Sequence, residues 1–147
     1  MQIFTERAIN MVGNSKELRT DQYCELLFEP GDGILAFRII KKYLESAKRE
    51  ILIIDNNFGH RFDCVLRKIN VKKIIVTSSD NKRIKSCKNY EVIRNDRFDS
   101  RFIFVDDCCY CFGDNFEDVG NFISSAIMVR DKNHFNLIKS CALDTNE

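Results

Sequence analysis

Two short runs of aliphatic, largely β-branched residues set the rhythm of the chain: Glu50-Ile-Leu-Ile-Ile-Asp55 and Lys73-Ile-Ile-Val-Thr77. Neither is interrupted by charge inside, as a strand covered on both faces requires. Between them, from Phe58 to Ile69, apolar residues recur at helical spacing, so the three stretches predict a β-α-β unit. Such a unit makes a parallel strand pair with a right-handed crossover and gathers ligands beyond the carboxyl ends of its strands, here Asp55-Asn-Asn and Thr77-Ser-Ser-Asp. Upstream, Tyr23 to Glu29 reads as a strand ended by Pro30-Gly-Asp-Gly, with Asp32 placed to cap a helix from Ile34 to Lys48. In that helix Ile34, Phe37, Ile40 and Leu44 form one series, while Lys41, Lys42 and Glu45 face water. Tyr90-Glu-Val-Ile93 is a further short strand, Phe122 to Val129 closes the sheet, and Asn133 to Leu143 makes a last amphipathic helix. Residues 1–20 stand apart as an N-terminal segment, with Ile3, Phe4, Ala8, Ile9 and Val12 suited to a short helix broken by Gly13-Asn-Ser. The expectation is one α/β domain over 21–147, a mixed and largely parallel sheet flanked by helices.

The segment from Arg97 to Gly120 carries the candidate chemistry. Phe102 and Phe104 alternate with Arg101, Ile103 and Val105, so a strand here puts aromatics on one face and Arg101, with Asp99 beside it, on the other. Asp106-Asp-Cys forms a turn, Cys109 to Phe112 a second strand, and Gly113-Asp-Asn leads a polar loop back to the edge where the first strand began.

Composition narrows the classes. At 147 residues and 44% apolar, with 12 Phe, the chain can bury one real core and is no disordered tail. A formal net charge of +1 supplies no general attraction to nucleic acid or membrane, so such binding would need a local patch. One basic segment qualifies, Arg67, Lys68, Lys72, Lys73, Lys82, Arg83, Lys85 and Lys88; it reads either as a solvated face or as a surface that tracks phosphates. No apolar run approaches the ~20 residues that span a bilayer, and the start of the chain lacks a signal-peptide pattern, which points to the cytoplasm. The 7 cysteines are odd in number and scattered singly apart from Cys108, Cys109 and Cys111, and only 2 histidines, His60 and His134, accompany them; small buried hydrophobes fit better than disulfides or a metal site.

The Arg97–Gly120 pattern resembles the motif of the phospholipase D superfamily, in the branch of small nuclease-like chains with one motif each. That family writes His-x-Lys/Arg-x4-Asp on a strand, then a hairpin, then a Gly-Ser-x-Asn or similar loop. Arg101 matches the basic residue, Asp106 the closing Asp, and Gly113, Asp118 and Gly120 the loop. Asp99 stands where the family has its histidine, Asn115 where one branch has Ser, and Glu117 where it has Lys; Asp114 adds a further carboxylate. The order of helix, aliphatic strand, helix and second strand upstream agrees with the same resemblance over about Glu25 to Val129.

What the resemblance implies is a phosphodiesterase in which histidine attacks phosphorus, without metal or cofactor, and in which a symmetric homodimer joins two single motifs. A neutral nucleophile is what an anionic diester demands, and Asp99 is an anion at neutral pH. The expected function is therefore a catalytically degenerate domain that dimerises through the motif edge and serves as an interaction or regulatory protein. Alternatives are a metal-assisted phosphodiesterase or endonuclease, with Asp99 and its copy as ligands, and a non-catalytic nucleic-acid binder. Candidate site positions are Asp99, Arg101, Asp106 and Asn115, with Arg101, Lys82, Arg83 and Lys85 for phosphate and Gly113, Asp114, Glu117 and Asp118 in the loop. Plainer roles compete: an Asp99–Arg101 ion pair at the strand end, Asp106 as a turn cap, and His134 as a surface or capping residue. His60 as a displaced nucleophile is disfavoured.

Overall fold

The described residues fold around a single sheet of seven strands, in the order β1-β7-β6-β5-β2-β3-β4. The computed structural model describes residues 25–144. Its elements are β1 (Glu25–Phe28), α1 (Gly33–Glu45), β2 (Glu50–Ile54), α2 (Asp63–Arg67), β3 (Lys72–Thr77), β4 (Glu91–Arg94), β5 (Arg101–Val105), β6 (Cys108–Phe112), β7 (Ser124–Met128) and α3 (Lys132–Leu143). β2 and β3 are parallel, as their aliphatic runs predict, and β4 joins β3 in the same sense. The remaining pairs, β2 with β5, β5 with β6, β6 with β7 and β7 with β1, are antiparallel. The sheet is thus mixed but mostly antiparallel, not largely parallel. Parallel pairing needs a long crossover, and after β4 the connections are too short: Asp106 and Asp107 alone join β5 to β6.

Alternation along the central strands divides the core in two. Ile51, Ile53, Ile103, Val105, Tyr110 and Phe112 face the side covered by α1 and α2. Leu52, Ile54, Phe102, Phe104 and Cys109 face α3, where Phe135 meets Phe104 edge-on with ring centroids 4.9 Å apart. Both faces of β2 and β5 are therefore dry, and each buried Leu, Ile or Phe contributes about 1.5–3 kcal/mol.

Four local expectations change. The helix anticipated from Phe58 to Ile69 contracts to Asp63–Arg67. Phe58 and Phe62 are both buried, but tertiary bonds from residues 56–61 hold the preceding backbone in a loop. Ile34 is 79% exposed, because at about 100° per residue it falls on the far side of α1 from Ala36, Ile39, Ile40, Tyr43 and Leu44, which form the buried face. Asp32 does not cap that helix with its side chain; its carboxylate accepts the Glu29 N–H at 2.8 Å. Cys64 and Cys87 are exposed rather than buried, since both lie on the outer layer over the sheet. The strand expected to close the sheet is β7, which lies between β6 and β1 and so leaves β1 at the margin. The short helix anticipated within 1–20 lies outside the described residues.

Candidate functional site

Register brings the motif and the β-α-β unit to one edge. Phe102 pairs with Ile54, the last residue of β2, and Arg101 pairs with Phe112, the last of β6. Asp55, Arg101 and the loop after Gly113 therefore meet beyond the carboxyl ends of the parallel strands, as sheets of this kind arrange their sites.

Asp55 sits at the centre and is fully buried. One carboxylate oxygen accepts the Phe116 N–H at 2.8 Å and the other the Asn57 N–H at 2.9 Å. Burial pushes this carboxyl up from its usual range; the two backbone bonds and the nearby Arg101 charge oppose that, and Glu117 adds to it. The sequence placed Asp55 at a strand end but did not single it out. The signal was present: a carboxylate directly closing a run of buried aliphatics must find donors or lose its charge.

Arg61 is the second residue that sequence reasoning passed over. Its guanidinium donates to the carbonyls of Gly33 (2.7 Å), Phe116 (2.9 Å) and Val119 (3.1 Å), and it lies over the Phe37 and Phe62 rings at 5.9 and 5.6 Å. It ties the motif loop to the start of α1. Gly120 completes that seam: at φ +96° a side chain would be strained, and a Cβ there would lie 2.5 Å from the Gly33 nitrogen.

Of the predicted positions, Arg101 is half-buried at the edge, with Asp55 and Asp114 as its charged neighbours. Among the described residues its guanidinium has no ion-pair partner. Burial raises the Asp114 carboxyl, Asp118 raises it further, and Arg101 opposes both. Asn115 donates its amide to Asp118 at 3.0 Å, while its own Oδ1 is buried without a donor; the Oδ1 of Asn56 is in the same condition. Glu117 reaches the Arg61 N–H at 3.4 Å and lies so close to Gly59 that a Cβ there would be 2.6 Å from its oxygen.

Asp99 departs from the expected strand geometry. It is exposed and precedes β5, whose first residue is Arg101, and it forms no ion pair with Arg101. The reason is a bend at Phe98 to Ser100: the Phe98 carbonyl accepts the Asn56 amide, and its ring packs on Phe102 at 6.3 Å. Asp106 is not brought to this edge at all. It lies at the far end of β5, in the left-handed region at φ 53°, and its carboxylate accepts the backbone N–H groups of Lys48 (2.8 Å), Arg49 (2.8 Å) and Glu50 (3.0 Å).

The basic segment is likewise divided. Arg83 donates to the Asn57 carbonyl and Lys82 to the Ser79 carbonyl at 3.3 Å, which places both near the carboxyl edge; Lys85 is exposed on the same loop. Arg94 pins that loop through the carbonyls of Ile84 (2.6 Å), Ser78 (3.1 Å) and Asn81. Arg67, Lys68 and Lys72 fall at the opposite end of the sheet.

Neither histidine is placed to attack phosphorus. His60 holds Asp63 through Nδ1 at 2.7 Å and the Arg83 carbonyl through Nε2 at 2.8 Å. Both ring nitrogens are thus engaged, and the Asp63 hydrogen bond first, then its charge, raise the pKa of the ring. His134 is exposed on α3, which covers the other face, and its N–H donates to Asp131 at 3.2 Å. Among the described residues no group of three or more His, Cys, Asp or Glu is arranged to hold a metal ion, and no helix is long and apolar enough to cross a membrane.

No family model matches the chain, and no curated protein does. Solved structures do. NucT from Helicobacter pylori superposes with a TM-score of 0.60 at 16% identity, over 79% of this chain and 91% of NucT. TrmBL2, an archaeal chromatin protein with a novel mode of DNA binding, superposes with a TM-score of 0.54 at 17% identity, over 92% of this chain and 56% of TrmBL2. The chain thus spans little more than half the length of TrmBL2. These likenesses are of fold alone.

Proposed function

We propose that the chain is a catalytically degenerate phospholipase D-like domain that acts by binding, as an interaction or regulatory protein, rather than by phosphoryl transfer. The observation that carries this reading is the electrostatic character of the motif edge. Arg101 is ringed by Asp55 and Asp114, the residue at the nucleophile position is the exposed carboxylate Asp99, and both ring nitrogens of His60 are engaged. A diester approaching this edge meets like charge and no neutral attacking group.

Pairing of two copies through this edge is part of the proposal. Phe122 and Ile123, 60% and 72% exposed, follow the motif loop, and Ile34 lies across the Gly33–Gly120 seam from them. A patch of large apolar side chains beside the motif suits a self-complementary contact. Nucleic acid as the bound partner is a second reading, favoured by the exposed cations that flank the motif loop and by the fold shared with the DNA-binding TrmBL2.

The test is direct. The purified chain is assayed on bis(p-nitrophenyl) phosphate and on labelled single- and double-stranded oligonucleotides, with added Mg²⁺, Mn²⁺ or chelator, while its mass in solution is measured by light scattering. The expected result is a dimer without turnover, converted to monomer by Ile123→Lys. Turnover that disappears in Arg101→Ala, with or without metal, overturns the degenerate reading; a monomer at all concentrations overturns the pairing.

A further inference from the structure

We infer that the chain carries a nucleic-acid backbone site at the end of the sheet opposite the motif, built on Lys48, Arg67, Lys68 and Lys72. The topology brings Lys48 to the same end of the sheet as Arg67, Lys68 and Lys72, with Lys72, by strand alternation, at the rim on the α3 side. α1 and α2 both run toward the same end and deliver their following loops into β2 and β3, which start side by side with Glu50 paired to Lys72. Adjacent strands are ~4.8 Å apart, so the loop before β2 and the loop before β3 are neighbours. Lys48, Lys68 and Asn70 line one open cleft of about 450 Å³ there, over a floor of Ala47, Ile69 and Val71; its one carboxylate, Glu45, lies beside Lys41.

Charges at this end sort themselves in a way that leaves these four available. Lys41 is within 3.9 Å of Glu45, Arg49 pairs with Asp107 at 2.9 Å, and Glu50 pairs with Lys139. Asp106 spends its carboxylate on three backbone N–H groups, and Lys73 turns inward to the carbonyls of Leu66 and Ile69, at 2.6 and 2.5 Å. Lys48, Arg67, Lys68 and Lys72 are exposed, and none forms an ion pair with a described residue. The local field is therefore positive although the whole chain is close to neutral.

The chemistry of the partner follows from what surrounds the cations. A membrane surface would call for large apolar side chains beside them, and Ile34, Phe122 and Ile123 lie at the other end of the sheet. A flexible chain of phosphates needs only spaced cations around a shallow cleft, with Arg67 offering a bidentate hold and the lysines point charges. The inference shares its partner with the second reading above but places that partner at the other end of the sheet from the cations that flank the motif loop, and it is independent of whether the motif edge is inactive.

The experiment is fluorescence anisotropy of a labelled 20-nucleotide single strand and its duplex with the full chain, in low salt. Four phosphate contacts predict that affinity falls on the order of 50- to 150-fold over a fourfold rise in salt. Lys48→Glu with Lys68→Glu is expected to weaken binding at least tenfold and to flatten the salt slope. Lys82→Glu with Lys85→Glu, at the motif end, is expected to change it less than twofold; circular dichroism and urea midpoints confirm that both variants fold. Binding lost equally from both double variants, unchanged in the first, or absent in the wild type overturns the assignment. So does tighter binding to phosphatidylserine vesicles than to either oligonucleotide. A chain that cleaves the probe contradicts the degenerate reading, and one that binds it at the wrong end contradicts only this one.

Discussion

Asp106 occupies the closing position of the motif, yet every contact it makes belongs to the fold, and its substitution separates the two roles. Three backbone N–H groups, from Lys48, Arg49 and Glu50, point at one carboxylate. At a half-exposed position each such bond contributes ~0.5–1 kcal/mol, or about 2 kcal/mol for the set. The residue also sits at φ 53°, where a Cβ costs ~1–2 kcal/mol, less for Asp and Asn. Asp106→Asn tolerates that backbone and keeps one oxygen for Arg49 and Glu50, which share the same carboxylate oxygen, so it loses ~1 kcal/mol. Asp106→Gly loses all three bonds but relieves the backbone, for about 2 kcal/mol; Asp106→Ala loses the bonds and keeps the strain, for about 3 kcal/mol. Urea unfolding of the three variants should therefore rank Asn above Gly above Ala. The pH dependence has a definite sign. Burial alone would raise this carboxyl, but the three N–H bonds outweigh it and the folded value lies below the unfolded one of ~3.9. Its stabilisation is present above about pH 4 and is lost as pH falls through the folded value, so the gap between wild type and Asp106→Asn narrows there. Ala as stable as Gly, or all three variants within ~0.5 kcal/mol of wild type, would refute the structural assignment.

Asp55→Ala leaves two buried N–H groups without acceptors and is expected to cost ~2 kcal/mol in urea at neutral pH, the loss of a buried charge offsetting part of the penalty. Because the folded carboxyl is raised, wild-type stability from this group increases as pH falls from the folded value toward ~3.9, and the gap to the variant should widen over that window; a gap that narrows contradicts the burial argument. Arg61→Ala removes the donor shared by Gly33, Phe116 and Val119 and should expose the amides of residues 113–121 to hydrogen exchange, with Arg61→Lys restoring less than half of the protection because one ammonium cannot span three carbonyls. Asp99→His alone should stay inactive on bis(p-nitrophenyl) phosphate, since Asp55 and Asp114 remain beside Arg101; measurable turnover would show that one side chain was the whole obstacle.

The central strands were legible because their faces are simple. A run such as Ile51 to Ile54 is dry on both sides in any fold that contains it, and the parallel pair with β3 followed from the helical spacing in between. The relation of β2 to β5 was not legible: antiparallel register between strands about fifty residues apart leaves no local mark, and it is this register that turns the sheet mostly antiparallel. The shortened α2 has a similar cause. Its apolar spacing is real, but Phe58 and Phe62 reach the core from a loop that Arg61 and Asn81 hold in place from outside the segment's own pattern. At the site, spacing along one strand put Arg101 and Asp106 in a single motif, whereas a strand rises ~3.3 Å per residue and carries them to opposite ends of the sheet.

The same length argument explains how a chain close to neutral overall can hold the proposed phosphate site. Helices and parallel strands that all run one way send each loop of a kind to the same end, so a sequence with interspersed signs can fold into two unlike ends. Lys48, Arg67, Lys68 and Lys72 precede or flank strand starts; Asp55, Asp99, Asp114, Glu117 and Asp118 follow strand ends or enter β5 from the motif side. A formal charge of +1 averages over this separation and hides it. Screening by salt confines the interaction of exposed charges to ~8 Å at physiological ionic strength, far less than the length of a five-residue strand with its flanking loops, so a polyanion at one end is little affected by carboxylates at the other. Loss of phosphoryl transfer at the motif edge and gain of phosphate affinity at the opposite end are therefore compatible in one small domain, and charge reversal at either end should leave the behaviour of the other unchanged.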